Sequence, residues 1–171
     1  MLSGVEGLNL TSLNLTNCNA VTQEGFRRLV AASPALAVVG LAGCRRVLAG
    51  LREATQFICQ NLGQQLTSLN VSNLSVPHFS EVGALRHLDH LVMDSLDAPG
   101  SEILAGLRRL DLGRLVGLQA RYLAVPSQEL LELISAAKFP RLRRLDLSYG
   151  CQNVITDQIL QVRNCIQVPG P

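Results

Sequence analysis

Two stretches of the sequence, LTSLNLTNCNAV at residues 10–21 and LAVVGLAGCRRV at residues 36–47, share the pattern L-x-x-(L/V)-x-L-x-x-C-x-x-V at an offset of 26 residues. The first part of this pattern recurs as LTSLNVSNL from Leu66, LDHLVMDSL from Leu88, LRRLDLGRL from Leu107 and LRRLDLSYG from Leu142. The chain therefore carries six copies of one short unit, starting near residues 10, 36, 66, 88, 107 and 142. Repetition of this kind indicates units that bury their apolar faces by stacking on one another.

Each copy predicts a short strand followed by a return segment. The alternating L-x-L places two apolar side chains on one face of a strand and the residue between them on the other face. Helix signals lie in three of the return segments: from Thr22, a potential N-cap, to just before Pro34; over residues 48–62; and over residues 127–137, before Pro140. Strand plus helix is therefore the expected unit.

The sequence thus predicts an α/β fold, a right-handed solenoid of about six strand–helix units that forms a single domain over residues 1–171. We expect a parallel sheet on the concave face and helices on the convex face. The residues expected at the centre of the core are the strand leucines Leu13, Leu15, Leu69, Leu110, Leu112, Leu145 and Leu147.

Residues 10–47 resemble the cysteine-containing subtype of leucine-rich repeats, whose units read roughly L-x-x-L-x-L-x-x-C-x-x-I-T-D-x-G-L-x-x-L-A-x-x-C-P-x-L. Cys18 and Cys44 stand at the first cysteine position, and Val21 and Thr22 match the I-T pair. The same signature recurs near the end of the chain in Ile155, Thr156, Asp157 and Cys165. In the middle units the cysteine is replaced by Leu74, Leu96 and Leu115. Cysteine and leucine can both fill a small buried apolar site at this turn.

The resemblance implies a protein-binding function. Proteins similar to this subtype are substrate receptors of cullin-type ubiquitin ligases, in which an F-box precedes the repeats, or fixed subunits of large assemblies such as the nexin–dynein regulatory complex of cilia. Because no F-box helices precede Leu10, we expect a non-catalytic interaction scaffold that is a structural subunit of a larger hetero-complex. The alternative is substrate recognition in an F-box type ubiquitin ligase. We also expect a neighbour or further repeats to cover an open end of the array.

The exposed strand positions predict where a partner binds. When the six motifs are aligned, the exposed positions form rows across the sheet. The side chains in these rows are small and nearly uncharged in the N-terminal half of the chain and charged in the C-terminal half. Arg109 with Asp111 and Arg144 with Asp146 are expected side by side, where they either neutralise each other or receive a polar segment of a partner. The predicted partner-binding residues are Ser12, Asn14, Ser68, Asn70, His90, Asp94, Arg109, Asp111, Arg144 and Asp146. The sheet offers about 400 Å², half of one partner's usual share of about 800 Å², which favours a subunit with several neighbours.

Composition narrows the remaining classes of function. The formal net charge is +2, from 15 basic and 13 acidic residues, which is too balanced to favour nucleic acid or an anionic membrane as the partner. Five cysteines without CxxC spacing argue against a disulfide framework or a zinc site. Neither a signal-peptide pattern nor a long apolar run is visible, so we expect an intracellular, cytoplasmic protein, with a cytoskeletal or ciliary location left open.

Catalysis and metal binding find little basis in the sequence. The side chains of His87 and His90 would point to opposite faces of an extended segment. The sequence shows no arrangement typical of a nucleophilic triad, a phosphate-binding glycine loop or a carboxylate pair. We therefore expect neither an enzyme nor a cofactor or metal site, and other proteins as the partners.

Overall fold

A computed structural model describes residues 8–47, 52–136 and 139–148. The fold is α/β, with six strands in one parallel sheet whose spatial order follows the chain. The strands are β1 (Ser12–Asn14), β2 (Val38–Gly40), β3 (Ser68–Asn70), β4 (His90–Val92), β5 (Gly117–Gln119) and β6 (Arg144–Asp146). Between them lie α1 (Gln23–Ala31), α2 (Arg52–Leu62), a 3₁₀ helix (Phe79–Ala84), α3 (Gly100–Arg109) and α4 (Ser127–Ala136). This order is compatible with a stacked array; the right-handedness of its connections stays a prediction.

The predicted helices are present where they can be described. Helix α1 begins after Thr22, whose Oγ1 accepts a hydrogen bond from the backbone N–H of Gly25 at 3.2 Å, as expected for an N-cap. Helix α2 lies inside the predicted segment 48–62, and α4 begins at Ser127 as predicted. Helix α3 and the 3₁₀ helix were not predicted. The unit signalled by Ile155, Thr156, Asp157 and Cys165 lies outside the described residues.

The predicted position of the fifth strand is wrong. LRRLDLGRL from Leu107 has the strand pattern, but its first three residues end α3, where Ile103, Leu104 and Leu107 form a buried helical face. The fifth strand lies later, in LVGLQARYL from Leu115. It is inconspicuous in the sequence because Ala120 stands where the other units have Leu, Val or Met, and Ala120 is nevertheless buried.

The corrected position makes the repeat more regular. Paired residues at the strand starts are Ser12, Val38, Ser68, His90, Gly117 and Arg144. The spacings along the chain are therefore 26, 30, 22, 27 and 27 residues. The last two replace the spacings of 19 and 35 that the misplaced motif implied.

The turn after each strand repeats the same backbone geometry. The fifth residue after the strand start has a positive φ in all five described turns, at Asn17 (61°), Gly43 (70°), Asn73 (57°), Ser95 (49°) and Tyr122 (57°). The next residue fills the apolar site of the motif and is buried in the four units represented by Cys44, Leu74, Leu96 and Leu123. Leu123, not Leu115, is therefore the fifth unit's counterpart of the cysteine. Cys18, in the first unit, is exposed.

The core lies between the sheet and the helices. Val39, Leu69, Leu91 and Leu118 from the strands are buried together with Phe26, Ile58, Ile103 and Leu130 from the helices. Of the predicted core leucines, Leu69, Leu110 and Leu147 are buried, and the others are partly buried: Leu13, Leu15, Leu112 and Leu145. Leu110 and Leu112 belong to the connection between α3 and β5 instead of a strand.

Candidate functional site

The strand face is the side of the sheet opposite the helices, together with the turn residues that continue its rows. Along the strands, buried residues such as Leu69 and Leu91 alternate with more exposed neighbours, which defines this face. Eight of the ten predicted binding residues lie on it: Ser12, Asn14, Ser68, Asn70, His90, Asp94, Arg144 and Asp146. Whether they bind a partner stays a prediction.

Arg109 and Asp111 are not on the strand face, so this part of the prediction is wrong. Arg109 is the last residue of α3 and lines a cleft of about 500 Å³ on the helix side, together with Cys59 and Glu81. Asp111 lies in the following turn, where its Oδ1 accepts a hydrogen bond from the N–H of Gly113 at 3.1 Å. The expected pairing of these residues with Arg144 and Asp146 across two strands therefore does not exist.

The N-terminal half of the strand face is uncharged and locally hydrogen-bonded. Asn14 Oδ1 accepts from the backbone N–H of Thr16 at 3.0 Å and from its hydroxyl at 2.7 Å. Asn70 Oδ1 accepts from the N–H of Ser72 at 3.0 Å. A Cβ at Gly40 would lie 3.0 Å from Asn14 Oδ1, so the asparagine side chain lies over the glycine. These amides fix the turns that follow the strands.

The C-terminal half contains a buried carboxylate with several donors. Asp94 is only 8% exposed. Its Oδ2 accepts from Arg121 Nη2 at 2.6 Å and Nε at 3.0 Å and from Gln119 Nε2 at 2.6 Å, while Oδ1 accepts from the N–H of Arg121 at 2.9 Å. Arg121 Nε also lies 3.9 Å from Asp146 Oδ2. One carboxylate thus fixes both the side chain and the backbone of the residue opposite it.

The electrostatics of this pair favour its charged form. Burial acts to raise the pKa of Asp94, but hydrogen bonds from Arg121 and Gln119 outweigh it and bring the pKa below its usual value. The hydrogen bond to Asp94 is the main reason why the pKa of Arg121 is raised. With 39% of its side chain exposed, Arg121 is a fixed guanidinium that is still accessible from the strand face.

Tyr122, next to Arg121, is exposed in an unusual backbone conformation. Its residue is 54% exposed, and its φ is 57°. The equivalent turn positions in the other described units hold Asn17, Gly43, Asn73 and Ser95. Three of these are asparagine or glycine, the types that tolerate positive φ best, and a bulky residue there is an outlier. Arg121, Gln119 and Tyr122 were missed in the sequence because the fifth strand was misplaced; the pattern LVGLQARYL and its spacing of 27 residues are the signals that locate them.

A second group of charges lies at the N-terminal ends of β4, β5 and β6. Arg114 Nη2 and Arg141 Nη1 lie 3.4 and 3.9 Å from the same oxygen of Asp89, Oδ1. His90 begins β4 opposite Gly117, where a Cβ would lie only 2.7 Å from the imidazole Nδ1. The imidazole therefore lies over the glycine. The charged side chains at this edge are mostly arginines.

The thiols of Cys44 and Cys59 are held in their protonated form. Burial, with a smaller contribution from the charge of Glu81, raises the pKa of Cys59 to about 12, and its Sγ donates to the carbonyl of Glu81 at 3.2 Å. Burial is also the main reason that the pKa of Cys44 is raised. Because nucleophilic attack and metal binding both need a thiolate, the raised pKa of these two cysteines disfavours either role.

No group of three or more His, Cys, Asp or Glu side chains suited to a metal ion occurs within residues 8–47, 52–136 and 139–148. Within the same residues, no helix is long and apolar enough to cross a membrane.

Comparison with known proteins gives little information. No family model matches the chain, and no curated protein matches it. Among solved structures, the crystal structure of the Rad7 and Elc1 complex in yeast contains a chain that is 13% identical, with a TM-score of 0.42. The match covers 94% of this chain and 61% of that one. At this level of similarity, neither family nor function is transferred to the present chain.

Proposed function

We propose that this chain is a leucine-rich-repeat solenoid that acts as a non-catalytic protein-interaction scaffold, a subunit of a larger hetero-complex. The partner docks on the part of the strand face formed by β4–β6 and the turns that follow them. The repeat class is supported by the order of the parallel strands and by the left-handed residue found at one position of five successive turns. Cofactors and metals have no part in the proposed function.

The exposure and backbone conformation of Tyr122 are the main support for the proposed docking surface. An exposed tyrosine at positive φ costs backbone free energy that Asn or Gly would avoid, and such costs concentrate at functional sites. Tyrosine supplies a large contact area with little side-chain freedom to lose, which is why it is enriched among the residues that dominate binding energy. The choice of tyrosine at a turn position that holds Asn, Gly or Ser in the other described units therefore supports a binding role.

Arg121 adds a guanidinium of fixed orientation to this surface. Its guanidinium is fixed by Asp94 before any partner arrives, so binding does not have to order a flexible side chain. Asp146, 3.9 Å from Arg121, contributes an acceptor on the same surface. A neighbouring aromatic side chain, a fixed cation and a carboxylate are suited to a polar partner surface and give little support to catalysis.

The limited area of the sheet supports a subunit role with several neighbours. We also propose an intracellular location, with which the free thiols of Cys44 and Cys59 are compatible. Substrate recognition in an F-box type ubiquitin ligase would use the same face, so the identity of the partner separates these two functions.

Site-specific photo-cross-linking tests the proposal. A photoreactive amino acid is placed at Val92 on the strand face and, as a matched control, at exposed Gln60 on α2. We expect the Val92 probe to form a discrete adduct with one protein, which then binds the purified chain in a pairwise titration. Adducts at Gln60 with none at Val92 would place the partner on the helix side and contradict the proposal. A cullin adaptor that binds the same chain would favour the ligase function over the structural one.

A further inference from the structure

Four arginines surround the N-terminal ends of β5 and β6. Arg114 precedes β5, Arg141 precedes β6, Arg143 lies just before β6, and Arg144 is its first residue. The backbone N–H groups of Arg143 and Arg144 both donate to the carbonyl of Val116, at 2.8 and 3.1 Å, which places them beside the start of β5. Arg141, Arg143 and Arg144 are exposed and Arg114 is partly buried.

Nearby carboxylates do not balance this arginine edge, as we call these four residues. Asp89 is shared by Arg114 and Arg141, and both distances, 3.4 and 3.9 Å, are long for a charged hydrogen bond. Asp111 lies close to Arg114 in sequence, but its Oδ1 accepts from the backbone of Gly113. Within the part of the chain that the structure describes, Arg143 and Arg144 form no ion pair, and Arg114 Nε is buried without a hydrogen-bond partner.

We propose that the arginine edge binds an extended acidic segment of the partner protein. This inference rests on the proposed function and specifies the chemistry of the partner. Arg141, Arg143 and Arg144 lie within four residues at the start of β6, and Arg114 precedes the neighbouring β5. Alternate side chains of an extended peptide are about 7 Å apart, so successive carboxylates can reach different guanidiniums. Guanidinium groups bind carboxylates through two parallel hydrogen bonds, which the weak contacts to Asp89 leave available.

A protein segment suits this edge better than a polyanion of uniform charge. Asp89 lies beside the edge, and Asp146 lies further along β6. These carboxylates would repel a continuous phosphate backbone, whereas a peptide can alternate acidic residues with neutral or basic ones. The edge therefore favours a short acidic stretch whose continuation crosses the rest of the strand face.

Fluorescence anisotropy with the purified full chain tests this inference. The probe is a short fluorescein-labelled peptide in which Glu and Ser alternate, and the control probe replaces every Glu by Gln. We expect the Glu probe to bind and the Gln probe not to bind. R143E/R144E should weaken binding about tenfold or more, because two attractive contacts become repulsive. The matched double substitution R45E/R46E changes two exposed arginines after β2 and should leave the affinity within about twofold.

Asp89→Asn should change the affinity for the Glu probe in the opposite direction to R143E/R144E. Removing the internal carboxylate frees Arg114 and Arg141, so binding of the Glu probe should become about twofold to fivefold tighter. Circular dichroism and thermal melting establish that each variant is folded. Equal affinity of wild type and folded R143E/R144E for the Glu probe would overturn the inference. So would preferential binding of a single-stranded RNA oligomer or of phosphatidylserine vesicles over the Glu probe.

Failure of this inference differs from failure of the proposed function. If the partner cross-linked at Val92 binds R143E/R144E as tightly as wild type, the acidic-segment inference fails and the docking proposal stands. If the Glu probe binds as expected but cross-links form only at Gln60, the arginine edge recognises acidic peptides and the docking proposal fails.

Discussion

Arg121 and Asp94 form a hydrogen-bonded ion pair between the turns that follow β5 and β4, with Arg121 Nη2 2.6 Å from Asp94 Oδ2. The Asp94 carboxylate also accepts from the backbone of Arg121 and from Gln119, and the N–H of Asp94 donates to Ser72 Oγ at 3.1 Å. The pair therefore joins three successive units at one level of the sheet. It also fixes the orientation of the guanidinium that the proposed partner would contact.

Asp94→Ala is expected to destabilise the protein. The substitution removes an almost buried acceptor from several donors, and since Arg121 stays partly exposed we expect a loss of about 1–3 kcal/mol in the free energy of unfolding. Urea unfolding followed by circular dichroism measures it. Asp97→Ala, at an exposed aspartate in the same turn region, should change stability by less than about 0.5 kcal/mol. Equal effects of the two substitutions would contradict a structural role of the pair.

The contribution of Asp94 should depend on pH in a defined direction. Its pKa is lowered in the folded state from the ordinary value of 3.8, so its stabilising effect is fully present above that value and is lost as the pH falls toward the folded-state pKa. We therefore expect the stability difference between wild type and Asp94→Asn to be constant near neutral pH and to shrink below about pH 4. A difference that grows on acidification would contradict the lowered pKa.

Gly106→Ala tests the packing of α3 against the 3₁₀ helix. Helix propensity alone predicts stabilisation by about 1 kcal/mol. However, a Cβ at Gly106 would lie 2.8 Å from Cδ1 and from the carbonyl oxygen of Phe79, so we expect destabilisation by about 1–3 kcal/mol. Ser101→Ala, at an exposed position of the same helix, provides the control and should be close to neutral. Stabilisation by Gly106→Ala would show that this close contact does not exist.

Cysteine reactivity should follow burial. In the folded protein, iodoacetamide should modify exposed Cys18 much faster than buried Cys44 and partly buried Cys59, because burial limits access and raises the pKa of these two thiols. Peptide mass spectrometry after timed alkylation measures each site separately. Denatured protein provides the reference, in which the three rates should converge. Modification of Cys59 as fast as Cys18 in the folded state would contradict its environment.

Much of the fold could be predicted because the leucine spacing of most units is visible in the sequence of each unit alone. Five of the six strands and three helices follow from leucine spacing, caps and prolines. The fifth strand could not be placed in this way, because LRRLDLGRL has a perfect strand pattern and yet begins inside a helix. Helical burial of Ile103, Leu104 and Leu107 prevails over that pattern, since local preference yields to tertiary packing.

The candidate site was only partly predictable for the same reason. Rows through β1–β4 and β6 were placed correctly, but the misplaced strand put Arg109 and Asp111 where Gly117 and Gln119 lie. It also hid the ion pair of Asp94 with Arg121, which depends on contact between residues 27 positions apart. The conformation of Tyr122 has no sequence signal of its own and becomes evident only when the five turns are compared.

The docking proposal is tested most directly by the affinity of the cross-linked partner for Tyr122→Asn, measured by isothermal titration beside Arg109→Gln. Asn is accepted at positive φ, as at Asn17 and Asn73, so Tyr122→Asn should keep the backbone geometry of the turn. We expect this variant to bind the partner about tenfold more weakly or worse, because an exposed anchor is lost, and Arg109→Gln on the helix side to bind like wild type. Unchanged binding of Tyr122→Asn together with weakened binding of Arg109→Gln would contradict docking on the strand face.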